Sequence, residues 1–192
     1  MSDYVDEKDG VSKKKGVLVT GPDGFVGRVV CKELLERGYA VRGAQWDAAP
    51  LPLGCESVIV GSIESSTDWK IALKDVEIVI HLAARVHVMN DTAENPLSAF
   101  RKVNVDGSKR LAEYAADAGI KHFVFVSSVK VNGESTTNKA FSETDLPNPE
   151  NPYAVSKYEA EQLLREIEAN SSMCVTILRP PLLYGPGVKR TS

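Results

Sequence analysis

Tyr153 and Lys157 stand four residues apart in Tyr-Ala-Val-Ser-Lys, and Ser128 lies upstream in Val-Ser-Ser-Val. If residues 153–169 are helical, the phenol and the ammonium share one face. With a hydroxyl brought alongside, such a pair can move a proton while a cofactor moves a hydride. A free tyrosine titrates near pH 10, so work near neutrality requires a lowering of about three pH units, roughly 4 kcal/mol. One cation about 5 Å away at an effective dielectric near 20 supplies roughly 3 kcal/mol. Taken alone, Tyr-x-x-x-Lys is a weak signal, and its weight depends on a nucleotide site in the same chain.

Short apolar runs alternate with longer amphipathic ones. Val17–Thr20 reads as a buried strand, followed by a glycine-rich turn and a helix whose apolar face carries Val26, Val29, Val30 and Leu34 and which Gly38 ends. Residues 39–44 and 58–60 read as the second and third strands, 69–73 as a short helix, and 78–82 as the fourth strand. A helix from about Ser98 to Ala118, closed by Gly119, precedes a fifth strand at 123–126. Residues 132–151 are polar and rich in turn formers, and read as a long functional loop. Asn151-Pro152 is a good start for the Tyr153 helix, because Asn caps and Pro suits the first helical position. Ala160, Leu163, Leu164 and Ile167 continue its buried face, and 175–178 reads as the sixth strand. This alternation predicts an α/β fold with a doubly wound parallel sheet and helices on both faces.

Gly21-Pro22-Asp23-Gly24-Phe25-Val26-Gly27 follows the first strand and opens the first helix. That is a dinucleotide fingerprint of the G-x-x-G-x-x-G form. Its glycines allow a tight turn, close approach to a pyrophosphate and close helix packing, while free amides meet the negative charge. An acid at the end of the second strand would read the ribose 2′-hydroxyl, and a nearby Arg would favour a 2′-phosphate. Here the strand ends at Gln45, Asp47 comes slightly late, and Arg42 is mid-strand. NAD and NADP both stay open.

The 192 residues carry a formal net charge of −3. That size fits one domain with one core. The slight acidity, without a basic face, argues against nucleic acid as the main partner. No apolar run reaches membrane-spanning length, and 1–15 reads as a disordered lead-in without a signal-peptide core. Three scattered cysteines and three scattered histidines predict reduced cytoplasmic thiols and no metal site.

Gly21-x-x-Gly24-x-x-Gly27, His81-Leu82-Ala83-Ala84, Asn104-Val105-Asp106-Gly107, Ser127-Ser128, Tyr153-x-x-x-Lys157 and Arg179-Pro180 with Tyr184-Gly185-Pro186-Gly187 stand in one order from about residue 16 to 188. Together they resemble the extended short-chain dehydrogenase/reductases, in the NAD-dependent epimerase/dehydratase group acting on nucleotide sugars. The resemblance implies a Rossmann-like domain over 16–192 that binds NAD or NADP. It makes Tyr153 the acid/base, Lys157 the ribose ligand that lowers the Tyr153 pKa, and Ser128 the hydroxyl that holds the reacting oxygen. Ser127 competes with Ser128 for that role.

It further implies cofactor contacts from Gly21, Asp23, Gly24, Phe25, Val26 and Gly27 around the pyrophosphate, and from Gln45, Ser62 and Ile63 towards the adenosine. Leu82, Ala83, Ala84, Asn104, Ser127, Tyr153, Lys157 and Pro180 complete the implied set. Ser62 stands where relatives have Asp in a Gly-Asp pair. Lys130 and Asn132 either touch substrate or shape the loop, His87 reads as a loop residue rather than a catalyst, and Arg179 either salt-bridges within the fold or binds phosphate.

Val129-Lys130 after Ser128 disfavours elimination, since dehydratases of the group place acids there. The stretch from Ser128 to Glu134 resembles bacterial 4-epimerases and 4-keto reductases of UDP-N-acetylhexosamines. The implied substrate is a nucleotide sugar, and the implied assembly a homodimer through the helices starting at Ser98 and Tyr153. Relatives continue past Tyr184-Gly185-Pro186-Gly187 into the segments that build the sugar pocket. The expectation is therefore a complete cofactor half, a substrate portion lacking, and an exposed sheet edge or apolar patch. The rival reading is a nucleotide-binding module without turnover.

Overall fold

The computed structural model of the chain describes residues 14–86, 95–136 and 139–188. Six strands form one parallel sheet: β1 (Gly16–Thr20), β2 (Ala40–Gln45), β3 (Glu56–Ile59), β4 (Ile78–His81), β5 (His122–Val126) and β6 (Cys174–Leu178). Their spatial order is β3-β2-β1-β4-β5-β6, the doubly wound arrangement whose direction of growth reverses between β1 and β4. Register pairs Thr20 with Ala44 on one side and with His81 on the other, and His81 with Phe125. The carboxyl ends of four strands therefore lie side by side at the crevice where such sheets bind ligands.

β1 is buried along its whole length because helices cover both of its faces. Alternation sends Leu18 into a core with Val79, Phe123, Leu111, Ala115, Ala160 and Leu164. Val17 and Val19 point the other way, against Cys31 and Val41. Helix α1 (Phe25–Glu36) buries Gly27 and Cys31, and Val30 and Leu34 pack behind them. Val29, expected on that face, is 64% exposed. Gly38 (φ +85°) ends the helix, with Gly38 N–H donating to the Leu35 carbonyl and Tyr39 N–H to that of Leu34.

Two local expectations are corrected. Residues 69–73 are not a helix: 70–75 form consecutive turns, anchored by the fully buried Trp69 and by Leu73 N–H donating to the Trp69 carbonyl. The helix expected from Ser98 to Ala118 starts at Pro96, capped by the Asn95 side chain, and is interrupted. α2 (Pro96–Arg101) runs into a π-helical turn, Lys102–Gly107, and continues as α3 (Ser108–Asp117). Gly107 packs so tightly on residue 63 that an added Cβ would lie 2.7 Å from Ile63 Cγ2. α4 (Pro152–Ala169) starts as expected, with Asn151 Oδ1 accepting from Ala154 N–H at 2.8 Å. β6 forms one edge of the sheet, and Leu178 there is 48% exposed.

Candidate active site and nucleotide groove

After β1 the backbone turns at Gly21 with φ +66°, a conformation that penalises side chains. A Cβ on Gly27 would lie 2.0 Å from the Gly21 carbonyl oxygen, so only glycine lets α1 pack onto the turn. Gly24 caps α1 without a capping side chain, and the first-turn amides of Phe25, Val26 and Gly27 meet no such acceptor. A helix start of this kind, approached through a glycine turn, fits a pyrophosphate.

Beside the turn lies a groove of about 360 Å³. The structure brings together Gly21, Asp23, Gln45, Ser62, Ile63, Ala83 and Ala84 along its walls. It adds Trp46, Glu64, Arg85 and Lys102, which the sequence reasoning did not single out. Trp46 and Arg85 each directly follow a residue that was singled out, and Lys102 stands two before Asn104. Continuation past the strand end is the signal that would have found the first two.

Two expected readings at the end of β2 change. Gln45 is buried and its carboxamide is engaged: Nε2 donates to the Ala49 carbonyl at 3.0 Å, and Oε1 accepts from Ser57 at 2.7 Å. Arg42 is committed elsewhere, donating to the carbonyls of Ile71, Ala72 and Lys74 and pairing with Glu56 at 3.0 Å. That guanidinium holds the turns before β4 and does not reach towards a phosphate in the groove.

His81 is fully buried where β1, β4 and α3 meet. Thr20 Oγ1 accepts from the amides of Leu82 (3.2 Å) and Ala83 (3.1 Å) and lies 2.7 Å from His81 Nδ1. Its own proton therefore goes to Nδ1, and Nε2–H donates to Ser108 Oγ at 2.8 Å. Burial first, and then the Lys157 charge, hold the imidazole neutral, with its pKa pushed down to about 3. His81 thus fixes the groove wall at Leu82 and Ala83.

Asn104 sits inside the π-helical turn and is buried. Its Oδ1 accepts from Arg85 N–H at 2.8 Å, and its Nδ2 donates to the Arg85 carbonyl and to Ser156 Oγ, both at 3.0 Å. The extra residue of a π turn re-aims one side chain, a frequent feature of functional sites. Here it ties the groove wall to the helix that carries Tyr153 and Lys157.

Tyr153, Lys157 and Ser128 do not line the groove; Tyr153 is joined to its wall through Phe100 and Arg85. The Arg85 guanidinium lies 5.5 Å over the Phe100 ring, whose edge meets Tyr153 with centroids 6.0 Å apart. Lys157 is 1% exposed, its ammonium 3.8 Å from the Phe125 ring centroid. Burial pushes its pKa down to about 7, against a smaller opposing pull from Glu161. The Tyr153 phenol is held above its ordinary value by burial, the opposite direction to the lowering expected from Lys157.

Ser128, two residues past β5 and half-buried, caps a short 3-10 turn at Val129–Val131, its hydroxyl accepting from Lys130 N–H at 3.2 Å. Ser127 Oγ is buried without a hydrogen-bond partner, walled off where Ser128 is reachable. The Pro180 carbonyl accepts from Val129 N–H at 3.0 Å and so fixes the turn after Ser128.

The remaining candidates act within the fold. Arg179 makes a two-pronged ion pair with buried Glu161 (3.0 and 2.5 Å) and reaches Asn132 Oδ1 at 3.2 Å. Asn132 also donates to the Ser142 carbonyl. Lys130 pairs with Glu134 at 3.0 Å. His87 lies outside the described residues.

Among the described helices none is long and apolar enough to cross a membrane. The model of the NAD dependent epimerase/dehydratase family matches residues 17–192. The chain is 45% identical over 177 residues to a UDP-glucose 4-epimerase of Vibrio cholerae, covering 91% of this chain and 54% of that protein. Among solved structures, MoeE5 in complex with UDP-glucuronic acid and NAD superposes with a TM-score of 0.79 at 32% identity, covering 92% of this chain and 58% of that one. The UDP-glucuronic acid 4-epimerase of Bacillus cereus in complex with NAD gives 0.77 at 28%, covering 89% and 58%. The chain spans about half the length of the curated relatives it matches. A glycine turn without room for a Cβ, a groove at the switch point and a match over nearly the whole sequence agree: the chain belongs to the NAD-dependent epimerase/dehydratase family.

Proposed function

We propose that this chain supplies the nucleotide-binding and proton-transfer half of an NAD(P)-dependent oxidoreductase/epimerase acting at C4 of a nucleotide sugar. The observation that carries the reading is the buried Lys157 ammonium one turn from Tyr153, whose ring meets Phe100 beneath the Arg85 wall of the groove opened by the glycine turn. UDP-sugars and NAD in the similar structures support the substrate and cofactor classes. Gly21, Gly24 and the amides opening α1 would hold the pyrophosphate, and Leu82–Ala84 would flank the nicotinamide half.

Bound nicotinamide would accept and return the hydride at C4. Tyr153 would take the C4 hydroxyl proton as the hydride leaves and return it afterwards. Ser128 would donate a hydrogen bond to the same oxygen as its charge changes. Because burial alone raises the Tyr153 phenol, Lys157 must be protonated beside it for the phenolate to form near neutrality.

Titration with NADH should show saturable binding, and Tyr153→Phe should keep that binding within about threefold. Interconversion of C4-epimeric UDP-hexoses or UDP-N-acetylhexosamines should fall by about 10²–10⁴ in the variant, the usual weight of one positioned acid/base. Absence of any dinucleotide binding would refute the reading. The second reading, a nucleotide-binding module without turnover, is favoured by Tyr153, Lys157 and Ser128 all lying outside the groove wall. It predicts NADH binding with no epimerisation in wild type.

We further infer a homodimer through the faces of α2 and α4, where a surface groove lies between Arg101, Val105, Tyr158 and Leu163. Light scattering giving a strictly monomeric mass would contradict it. A cytoplasmic location accords with the reduced thiols expected of its cysteines.

A further inference from the structure

The end of β2 lacks the anchor that a dinucleotide normally finds there. A carboxylate at that point would hold the adenosine ribose. In its place Gln45 is 3% exposed, with both ends of its carboxamide bonded to Ala49 and Ser57. Arg42 is occupied by three carbonyls and Glu56. Glu64, which also lines the groove, is held by Lys102 at 2.6 Å. Another group must supply the affinity for the adenosine end.

Trp46 is the next residue after Gln45. It lines the groove yet is 70% exposed, whereas the only other tryptophan, Trp69, is wholly buried in the core. An indole left in water at a groove wall presents a flat aromatic face without a ring or cation partner among the described residues. Gly61, Ser62 and Ile63 complete that end of the groove and bring no net charge. The surroundings thus favour a flat, neutral, aromatic group over an anion.

We propose that Trp46 is the platform on which the adenine ring of the dinucleotide stacks, taking over from a ribose-binding carboxylate as the anchor of the adenosine end. This rests on the nucleotide-binding reading above, and its test separates the two. A base stacked on an aromatic side chain contributes about 1–3 kcal/mol by alanine substitution. Trp46→Ala should therefore raise the Kd for NADH about tenfold, and that for ADP-ribose, which lacks the nicotinamide, by the same factor. Trp46→Phe, which keeps a π face, should stay within about threefold of wild type, while Trp46→Leu, apolar but not aromatic, should behave like the alanine variant.

Calorimetric titration of wild type and the three variants with both ligands gives these values. Because Trp46 is exposed, the variants should melt with the wild type. Wild-type binding combined with an unchanged ADP-ribose Kd in Trp46→Ala would overturn the inference. Leucine matching wild type would overturn stacking as its basis. A wild type that binds neither ligand would overturn the nucleotide reading itself, and the inference with it.

Discussion

Asn104 Nδ2 donates to Ser156 Oγ at 3.0 Å, and Ser156 Oγ–H in turn donates to the Tyr153 carbonyl at 2.7 Å. The buried amide that fixes the groove wall at Arg85 therefore also fixes the first turn of the Tyr153 helix. The groove wall and the start of the Tyr153 helix share one polar link, made possible by the π turn at Lys102–Gly107.

Asn104→Ala removes three hydrogen bonds and leaves the Arg85 amide and carbonyl without this partner. A hydrogen bond contributes about 0.5–1.5 kcal/mol net, so the loss of three should cost about 2–4 kcal/mol. Urea unfolding of wild type and variant measures it. NADH affinity should fall as well, since the Ala84–Arg85 wall loses its tie.

Lys157 makes stability depend on pH in a direction opposite to that of a salt-bridged lysine. Its folded pKa of about 7 lies below its unfolded value, so between them the unfolded chain binds the extra proton. Stability should rise from about pH 7 to about pH 10. Above that, Tyr153 acts in the other sense: its folded pKa is raised, the unfolded phenol ionises first, and stability falls. Lys157→Met should be the more stable form at pH 7, by up to about 1.4 kcal/mol for each pH unit of the window, and its advantage should shrink towards pH 10. Denaturant melts at pH 7, 8.5 and 9.5 would show this; an advantage of the variant over the wild type that stays flat across them contradicts the burial of the charge.

Arg179→Leu should cost about 3–5 kcal/mol, because Glu161 is then a buried carboxylate without its guanidinium. Adding Glu161→Leu should recover most of that loss, since replacing both charges by apolar groups is often close to neutral. The comparison of single and double variants by thermal melting decides whether the pair is structural. If the double variant melts no higher than the single, the guanidinium has a further role.

Gly27→Ala places a methyl 2.0 Å from the Gly21 carbonyl oxygen, where both partners are backbone and neither can yield cheaply. The turn must open, so the variant should lose NADH binding by more than tenfold and melt lower than wild type. Gly38→Ala, by contrast, meets no atom within 4 Å and should keep NADH binding, with a stability cost from its φ of +85° alone.

Local rules were sufficient for much of this molecule. The buried β1, the glycine turn, the Asn151-Pro152 start of α4 and the Gly38 stop were legible because each depends on neighbours in the chain, on hydrophobic period and on caps. Periodicity misplaced residues 69–73, where Trp69 serves as a core plug and the turns are held by Arg42, some thirty residues earlier. It also misplaced Val29, whose face of α1 meets water.

By itself, then, the sequence determined the order of strands and helices, the glycine turn and the presence of Ser128, Tyr153 and Lys157 at helical and strand-end positions. Tertiary structure decided which of those groups are charged, engaged or reachable. Gln45 and Arg42 look available in the sequence but are consumed by partners the fold brings to them, and Lys157, expected beside the phenol as a charge, is buried against Phe125. The physical reason is that hydrogen-bond satisfaction and desolvation depend on what the fold places beside a group, and sequence spacing carries no record of those neighbours.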